Sequence, residues 1–421
     1  MKRDKLLAVG SLLALWLAIA PGCSTTQTVS TAEQDRVLAG TNGGGTTKKT
    51  TKPKPSTTST NETPASASAV AYGNVDNVPY HHLCPQNYTG KLVIHQMYVG
   101  QGDSALIRTP SGEMILIDGG ESPNYANVIL PTLQNCYNTT KLDYIVLTHP
   151  HSDHFGGLLS LVKDNKVTFT DFITGSENME KGEAGTEFHD LIAKAKAEAK
   201  GTFLDDDKKE LGDSTIKDKD VDFNIVVANG DVLGKGAVAA AYSGQYAADD
   251  NSISVGMIIS FGNFKFFTAG DLTGGKTATG AGHPDIEDTV AEVVSKVDVY
   301  KASHHGSDTS NKQAILAKLA PENVLISVGA GGKNISTFML PRKMALDAIE
   351  ALPSVQNIYM TSQGVSADIK DWSAYKKVDN LGVKDSKGVG SDIIVETDTK
   401  GTSYQIYGYN YTSPVFKTTA K

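Results

Sequence analysis

Four side chains able to bind a metal fall within six residues, His149-Pro150-His151-Ser152-Asp153-His154. They directly follow Leu142-Asp143-Tyr144-Ile145-Val146-Leu147-Thr148, an apolar, β-branched run that reads as a buried strand. The strand ends near Thr148 and the ligands sit on the loop beyond it. His149 and His151 are two residues apart, so in an extended loop both imidazoles face one side. Asp153 and His154 come after the turn and can face a second centre. Histidine with carboxylate oxygen, and no thiolate, suits zinc, manganese or iron better than a structural Cys-rich zinc site. Two adjacent metals would activate a water between them and stabilise a developing oxyanion. A chance run of surface histidines is the competing reading, and the density of ligand types at a strand end argues against it.

Two further segments have the right character. Phe264-Lys265-Phe266-Phe267-Thr268 reads as a strand, and Ala269-Gly270-Asp271 leaves a carboxylate at its tip, where it can bridge two metals. Val297-Asp298-Val299-Tyr300-Lys301-Ala302-Ser303 is another strand-like run, followed by His304-His305-Gly306-Ser307. Alone, Asp271 would read as a turn aspartate and the histidine pair as exposed loop residues. Beside the first cluster, ligation becomes the better account of both, with either His304 or His305 closing the second metal site.

In order and content these segments resemble the metallo-β-lactamase fold superfamily, with its His-x-His-x-Asp-His signature. More narrowly they resemble its ComEC-like (competence protein) metallohydrolase group. The narrower likeness rests on Val99-Gly100-Gln101-Gly102-Asp103-Ser104, on Ile115-Leu116-Ile117-Asp118-Gly119-Gly120 and on Thr148 to Gly157. Asn251-Ser252, Ala269-Gly270-Asp271 and Ser303-His304-His305-Gly306-Ser307 complete it, and it runs from about Lys91 to about Tyr409. The resemblance implies an α/β fold, an αββα sandwich, and two divalent metal ions, zinc or manganese. It assigns His149 and His151 to one metal, Asp153, His154 and His304 to the other, and Asp271 to a place between them. Asp118 becomes an outer residue holding the histidine loop by hydrogen bonds. Catalysis would rest on Asp153 and on His305, which would stabilise charge on the substrate or protonate the leaving oxygen. Gln101 and Asp103 either shape the floor of the site or simply make a turn.

The chain also departs from the wider pattern. Many superfamily members carry a further histidine before the bridging aspartate, where this chain has Asn251-Ser252. The first metal is then one protein ligand short, which leaves room for water or substrate. ComEC-like relatives often have His-Pro after the late Ser-Val-Gly, and here Leu340-Pro341 follows Ser327-Val328-Gly329.

Lys2, Arg3 and Lys5 precede an apolar run from Leu6 to Ala20, and Pro21-Gly22-Cys23 follows. The run is short for a membrane span, and the arrangement resembles a bacterial lipoprotein signal with lipid on Cys23. Residues 1–23 are therefore expected to be a signal peptide. Residues 24–88, rich in Ser, Thr, Gly, Pro and Lys, are expected to be a flexible tether. Residues 89–421 are expected to form the hydrolase domain, lipid-anchored on the extracytoplasmic side of the bacterial envelope. With Cys23 lipidated, Cys84 and Cys136 remain as a pair in an oxidising compartment, which favours a disulfide over two separate thiols.

The remaining length suits one large domain. Phe188 to Lys200 and Arg342 to Leu352 read as helices, and Ile393 to Thr397 with Ser403 to Tyr407 as a hairpin turning through Gly401. The polar stretch from Ser176 to Val232 reads as decoration at an edge rather than a lid. Residues 89–421 carry 31 Lys and Arg against 42 Asp and Glu, a net charge of −11. That balance gives no electrostatic footprint for non-specific nucleic-acid binding, though local basic patches remain compatible with it. The expected activity is hydrolysis of a phosphodiester, in nucleic acid or at the cell surface, by a metal-activated water, with no obligate protein partner. The competing readings are an ester or lactone hydrolase on the same fold and a non-catalytic, metal-containing surface binding protein.

Overall fold

The computed structural model describes residues 68–418, apart from 76–77, 86, 176–182, 199, 205–210, 214, 239–248, 276–282, 331–337, 379–388 and 410. The expected signal peptide, Cys23 and most of the expected tether lie outside the described residues.

A ten-stranded sheet and an eight-stranded sheet form the two inner layers. Their facing sides share one core. Ile94, Ile107, Ile117 and Val146 from the first sheet pack with Ile225, Met257, Phe266 and Val299 from the second. On the outer side of the first sheet, Leu116 and Leu147 meet Leu133, Phe155 and Phe188 from helices Leu130–Cys136, Ser152–Asp164 and Glu183–Glu198. On the outer side of the second, Phe267, Tyr300 and Val324 meet Val290, Leu316 and Leu346 from helices Glu287–Val290, Gln313–Leu319 and Lys343–Glu350. Helix, sheet, sheet, helix is the αββα order expected.

This layering explains why the strands are apolar without a break. In Met114–Ile117, Ile115 and Ile117 face the inter-sheet core while Leu116 faces the helices. Lys141–Leu147 behaves the same way, with Val146 inward and Ile145 and Leu147 outward. A strand covered on both faces has no polar side, so its sequence reads as a continuous hydrophobic run.

Each sheet has a parallel half. Met114–Ile117, Lys141–Leu147 and Thr168–Thr174 are parallel neighbours in the first. Phe264–Thr268, Val299–Lys301 and Asn323–Ile326 are parallel neighbours in the second. Asp118, His149, Asp271 and His304 all come directly after the C-terminal ends of such strands. Loops at the C-terminal ends of parallel strands are where open α/β sheets place ligands.

Two expectations need correction. Residues 176–232 are more than edge decoration. They contain helix Glu183–Glu198 and the strand Asp222–Ala228, which lies inside the second sheet and pairs antiparallel with Gly256–Phe261. The alternation Phe223, Ile225, Val227 was overshadowed by the polar residues around it. Part of the segment expected as tether, residues 24–88, is also folded. Ser68–Val75 and Val78–Cys84 pair antiparallel, and the second strand buries Tyr80, His82 and Leu83. The expected C-terminal hairpin forms from Ile393–Thr397 and Ser403–Gly408 and joins the first sheet beside Val93–Gln96.

Candidate metal centre

The histidine loop is held from beneath by one carboxylate. Asp118 Oδ1 accepts from the Thr148 amide at 2.8 Å, and Oδ2 accepts from the Thr148 hydroxyl at 2.7 Å. Asp118 Oδ2 also lies 2.8 Å from His154 Nδ1, which turns Nε2 of that ring toward Asp271. This is the outer-partner arrangement that fixes a ligand imidazole and its tautomer. Helix Ser152–Asp164 starts directly after His151 and carries Asp153 in its first turn, where a carboxylate suits the helix dipole.

Asp271 stands at the middle. Gly270, with φ +50°, turns the chain at the strand end, and a side chain there would strike Thr148. Asp271 Oδ2 lies 3.8 Å from His149 Nε2, and Oδ1 lies 3.4 Å from His154 Nε2. On one side His149, His151 and Asp271 bring ligand atoms within 4.8 Å of one another. On the other, Asp103, His154, Asp271 and His305 do the same, and Asp153 Oδ2 lies 3.5 Å from His305 Nε2. Asp271 belongs to both groups.

Hydrogen bonding tests whether these residues fit metal ions. Buried polar atoms are nearly always paired. Here His154 Nε2, His305 Nε2, Asp271 Oδ1 and Asp103 Oδ1 are buried and make no hydrogen bond among the described residues. All four belong to one group. The opposite nitrogen of each ring is engaged, His154 Nδ1 by Asp118 and His305 Nδ1 by the Ser327 carbonyl at 3.0 Å. The donor set therefore fits a divalent cation.

The electrostatics agree. Burial opposes charge on His154, yet Asp271, Asp118 and Asp153 together hold its pKa well above the imidazole range. Burial likewise opposes charge on Asp271, and His305, His154 and His304 outweigh it and hold its carboxyl well below the usual range. The pocket favours a cation. His149 behaves differently, since burial, reinforced by His154, pushes its pKa well down and leaves a neutral ring of the kind a metal needs.

The resemblance assigns His304 to the group of Asp153 and His154, whereas the residues alone leave open which of His304 and His305 closes it. The structure groups His305 with Asp103, His154 and Asp271. His305 is buried, with Nε2 3.5 Å from Asp153 and 3.6 Å from Asp271. His304 is more open, its side chain 16% exposed, with Nδ1 2.7 Å from the Thr309 hydroxyl and Nε2 3.6 Å from Asp271 Oδ2. Both residues have left-handed backbone, φ 50° and 51°, and this tight turn sets which ring points inward. His151, with its side chain 37% exposed, marks the open side, where its Nε2 lies 3.9 Å from Asp250.

Sequence reasoning left Asp103 undecided and missed Lys301 and Asp250. Asp103 is buried at the second group and ion-paired with Lys301. Its only sequence signal was the Gly-Gln-Gly-Asp turn, while a lysine inside an apolar strand gives none. Gln101, the other candidate for the floor, accepts from the Gly329 amide at 3.3 Å. Cys84 and Cys136 are joined by a disulfide, with Cα atoms 5.0 Å apart.

Residues 97–228 match the family model for the metallo-beta-lactamase superfamily, and the chain carries a domain of that superfamily. ComE operon protein 3 of Bacillus subtilis (strain 168) is 24% identical over 251 residues, which cover 56% of this chain and 28% of that relative. The chain thus spans under a third of that protein's length. Among solved structures, the metallo-beta-lactamase fold protein YhfI from Bacillus subtilis is 13% identical, with a TM-score of 0.38, over 65% of this chain and 98% of its own. A long-form RNase Z from yeast is also 13% identical, with a TM-score of 0.34, over 57% of this chain and 37% of its own.

Proposed function

We propose that this domain is a metal-dependent hydrolase acting on a phosphodiester, in a nucleic acid or at the cell surface. One observation carries the reading: two groups of ligand residues share Asp271, and each residue of the second has a buried polar atom without a hydrogen bond among the described residues. Two divalent ions, zinc or manganese, would supply Lewis acidity and a water of lowered pKa there. His149, His151 and Asp271 would hold one, and Asp153, His154, His305 and Asp271 the other.

The remaining steps belong to the chain's own residues. Asp118 orients His154 and anchors Thr148, so the histidine loop keeps its shape when substrate enters. His149, His154, Asp271 and His305 are buried and keep bulk water from the floor. Substrate approaches from the side of His151 and His304, the more exposed rings. His304, steadied by Thr309, is placed to hydrogen-bond a substrate oxygen lying next to Asp271.

A phosphodiester is favoured over an ester or lactone by the likeness to the ComEC-like group, carried by Val99 to Ser104 and Ser303 to Ser307. The test compares substrates on the purified chain loaded with zinc or manganese. Bis(p-nitrophenyl) phosphate is expected to turn over well above p-nitrophenyl acetate or a simple lactone, with activity lost in His151→Ala. Turnover of the ester or lactone alone would move the assignment to those substrates. Metal binding with no turnover of any would leave a binding role.

A further inference from the structure

Asp103 belongs to the second group but is not among the four residues named above as holding its ion, and Lys301 beside it has no role there. Both are buried, 5% and 2% exposed, and Lys301 Nζ pairs with Asp103 Oδ2. Taking two charges out of water costs several kcal/mol each, roughly, unless every lone pair is used. Here one is not. Asp103 Oδ1 makes no hydrogen bond among the described residues and lies 3.9 Å from His305 Nδ1, and Asp103 offers a carboxylate oxygen within 4.8 Å of ligand atoms of His154, Asp271 and His305. A purely structural ion pair would account for Oδ2 alone.

We infer that Asp103 Oδ1 is a further ligand of the second metal, with Lys301 clamping the other oxygen. The inference rests on the two-metal reading. Lys301 would do two things. It would hold the carboxylate to one-oxygen binding by occupying Oδ2, and it would offset the added negative charge beside Asp153 and Asp271. The second metal would then have five protein ligands, namely Asp103, Asp153, His154, Asp271 and His305. The first would keep three. The two ions would differ in affinity, the second filling first.

The test is calorimetric titration of the metal-stripped chain with zinc, with elemental analysis of the ions retained. Asp103→Asn leaves Lys301 buried without its partner, so the neutral double variant Asp103→Asn/Lys301→Met is measured beside it. Thermal melts of both report the fold. The wild type is expected to take up two ions, one tightly. In both variants the tight step is expected to weaken by at least about 10–100-fold, the range seen even when outer partners are removed. The weak step should change little. If the wild type takes up two ions and the folded double variant takes up both with unchanged affinities, Asp103 is no ligand. A wild type that binds no zinc would overturn the two-metal reading and this inference together.

Discussion

His304 and His305 are chain neighbours with different surroundings, and the difference sets what each can do. His305 Nε2 is buried and faces two carboxylates, while His304 lies toward the open side beside Thr309. Removing His305 should therefore cost an ion, and removing His304 should cost rate. His305→Ala is expected to retain about one metal ion per chain. His304→Ala is expected to retain two, with turnover lowered by about 10²–10⁴-fold if its hydrogen bond to substrate strengthens in the transition state. Elemental analysis beside the phosphodiesterase assay checks both, and equal metal content in the two variants would refute the assignment. At this scale the histidine run was legible because its residue types are rare together. The order of His304 and His305 was not, since it depends on a left-handed turn that a pair of histidines does not announce. Lys301 was hidden because a lysine inside an apolar strand normally reaches for solvent.

The element that fixes the centre is helix Ser152–Asp164, packed backbone to backbone on the loop after Met114–Ile117. The Gly119 amide donates to the His154 carbonyl at 2.7 Å, and the Gly157 amide donates to the Gly120 carbonyl at 2.9 Å. A Cβ on Gly157 would lie 2.0 Å from the Gly119 carbonyl oxygen, so any side chain there must push the helix away. The helix start carries Asp153 and His154, and the loop carries Asp118. Gly157→Ala is thus expected to lose about 1–3 kcal/mol of stability or somewhat more and to weaken metal binding as well. A thermal melt with zinc titration would show both, and an unchanged melting temperature would mean that the contact is looser than described. The strands bearing the ligands were readable because burial on both faces makes them continuous apolar runs. Asp222–Ala228 was not, because Lys217 to Asp220 before it and Asn229 to Asp231 after it made the region look like surface.

Across the whole molecule, two sheets bring loops far apart in sequence to one rim, and the last strands complete the first sheet. Asp392, from near the end of the chain, accepts from the Leu83 and Tyr98 amides and pairs with His82 and His95. Together with the Cys84–Cys136 disulfide it ties Val78–Cys84 to the domain, although composition alone groups that segment with the residues before it. No helix among the described residues is long and apolar enough to cross a membrane. With a net charge of −11 over residues 89–421, binding of the proposed phosphodiester would fall to the metal centre rather than to the general surface. The central claim, that this centre is a two-metal catalytic site, is tested most directly by counting metal ions and turnover in one preparation. About two ions per chain, bis(p-nitrophenyl) phosphate turnover lost on chelation and restored by zinc or manganese, and neither recovered in His151→Ala is the expected result. A chain that binds no metal after reconstitution, or one whose turnover survives complete chelation, would contradict it.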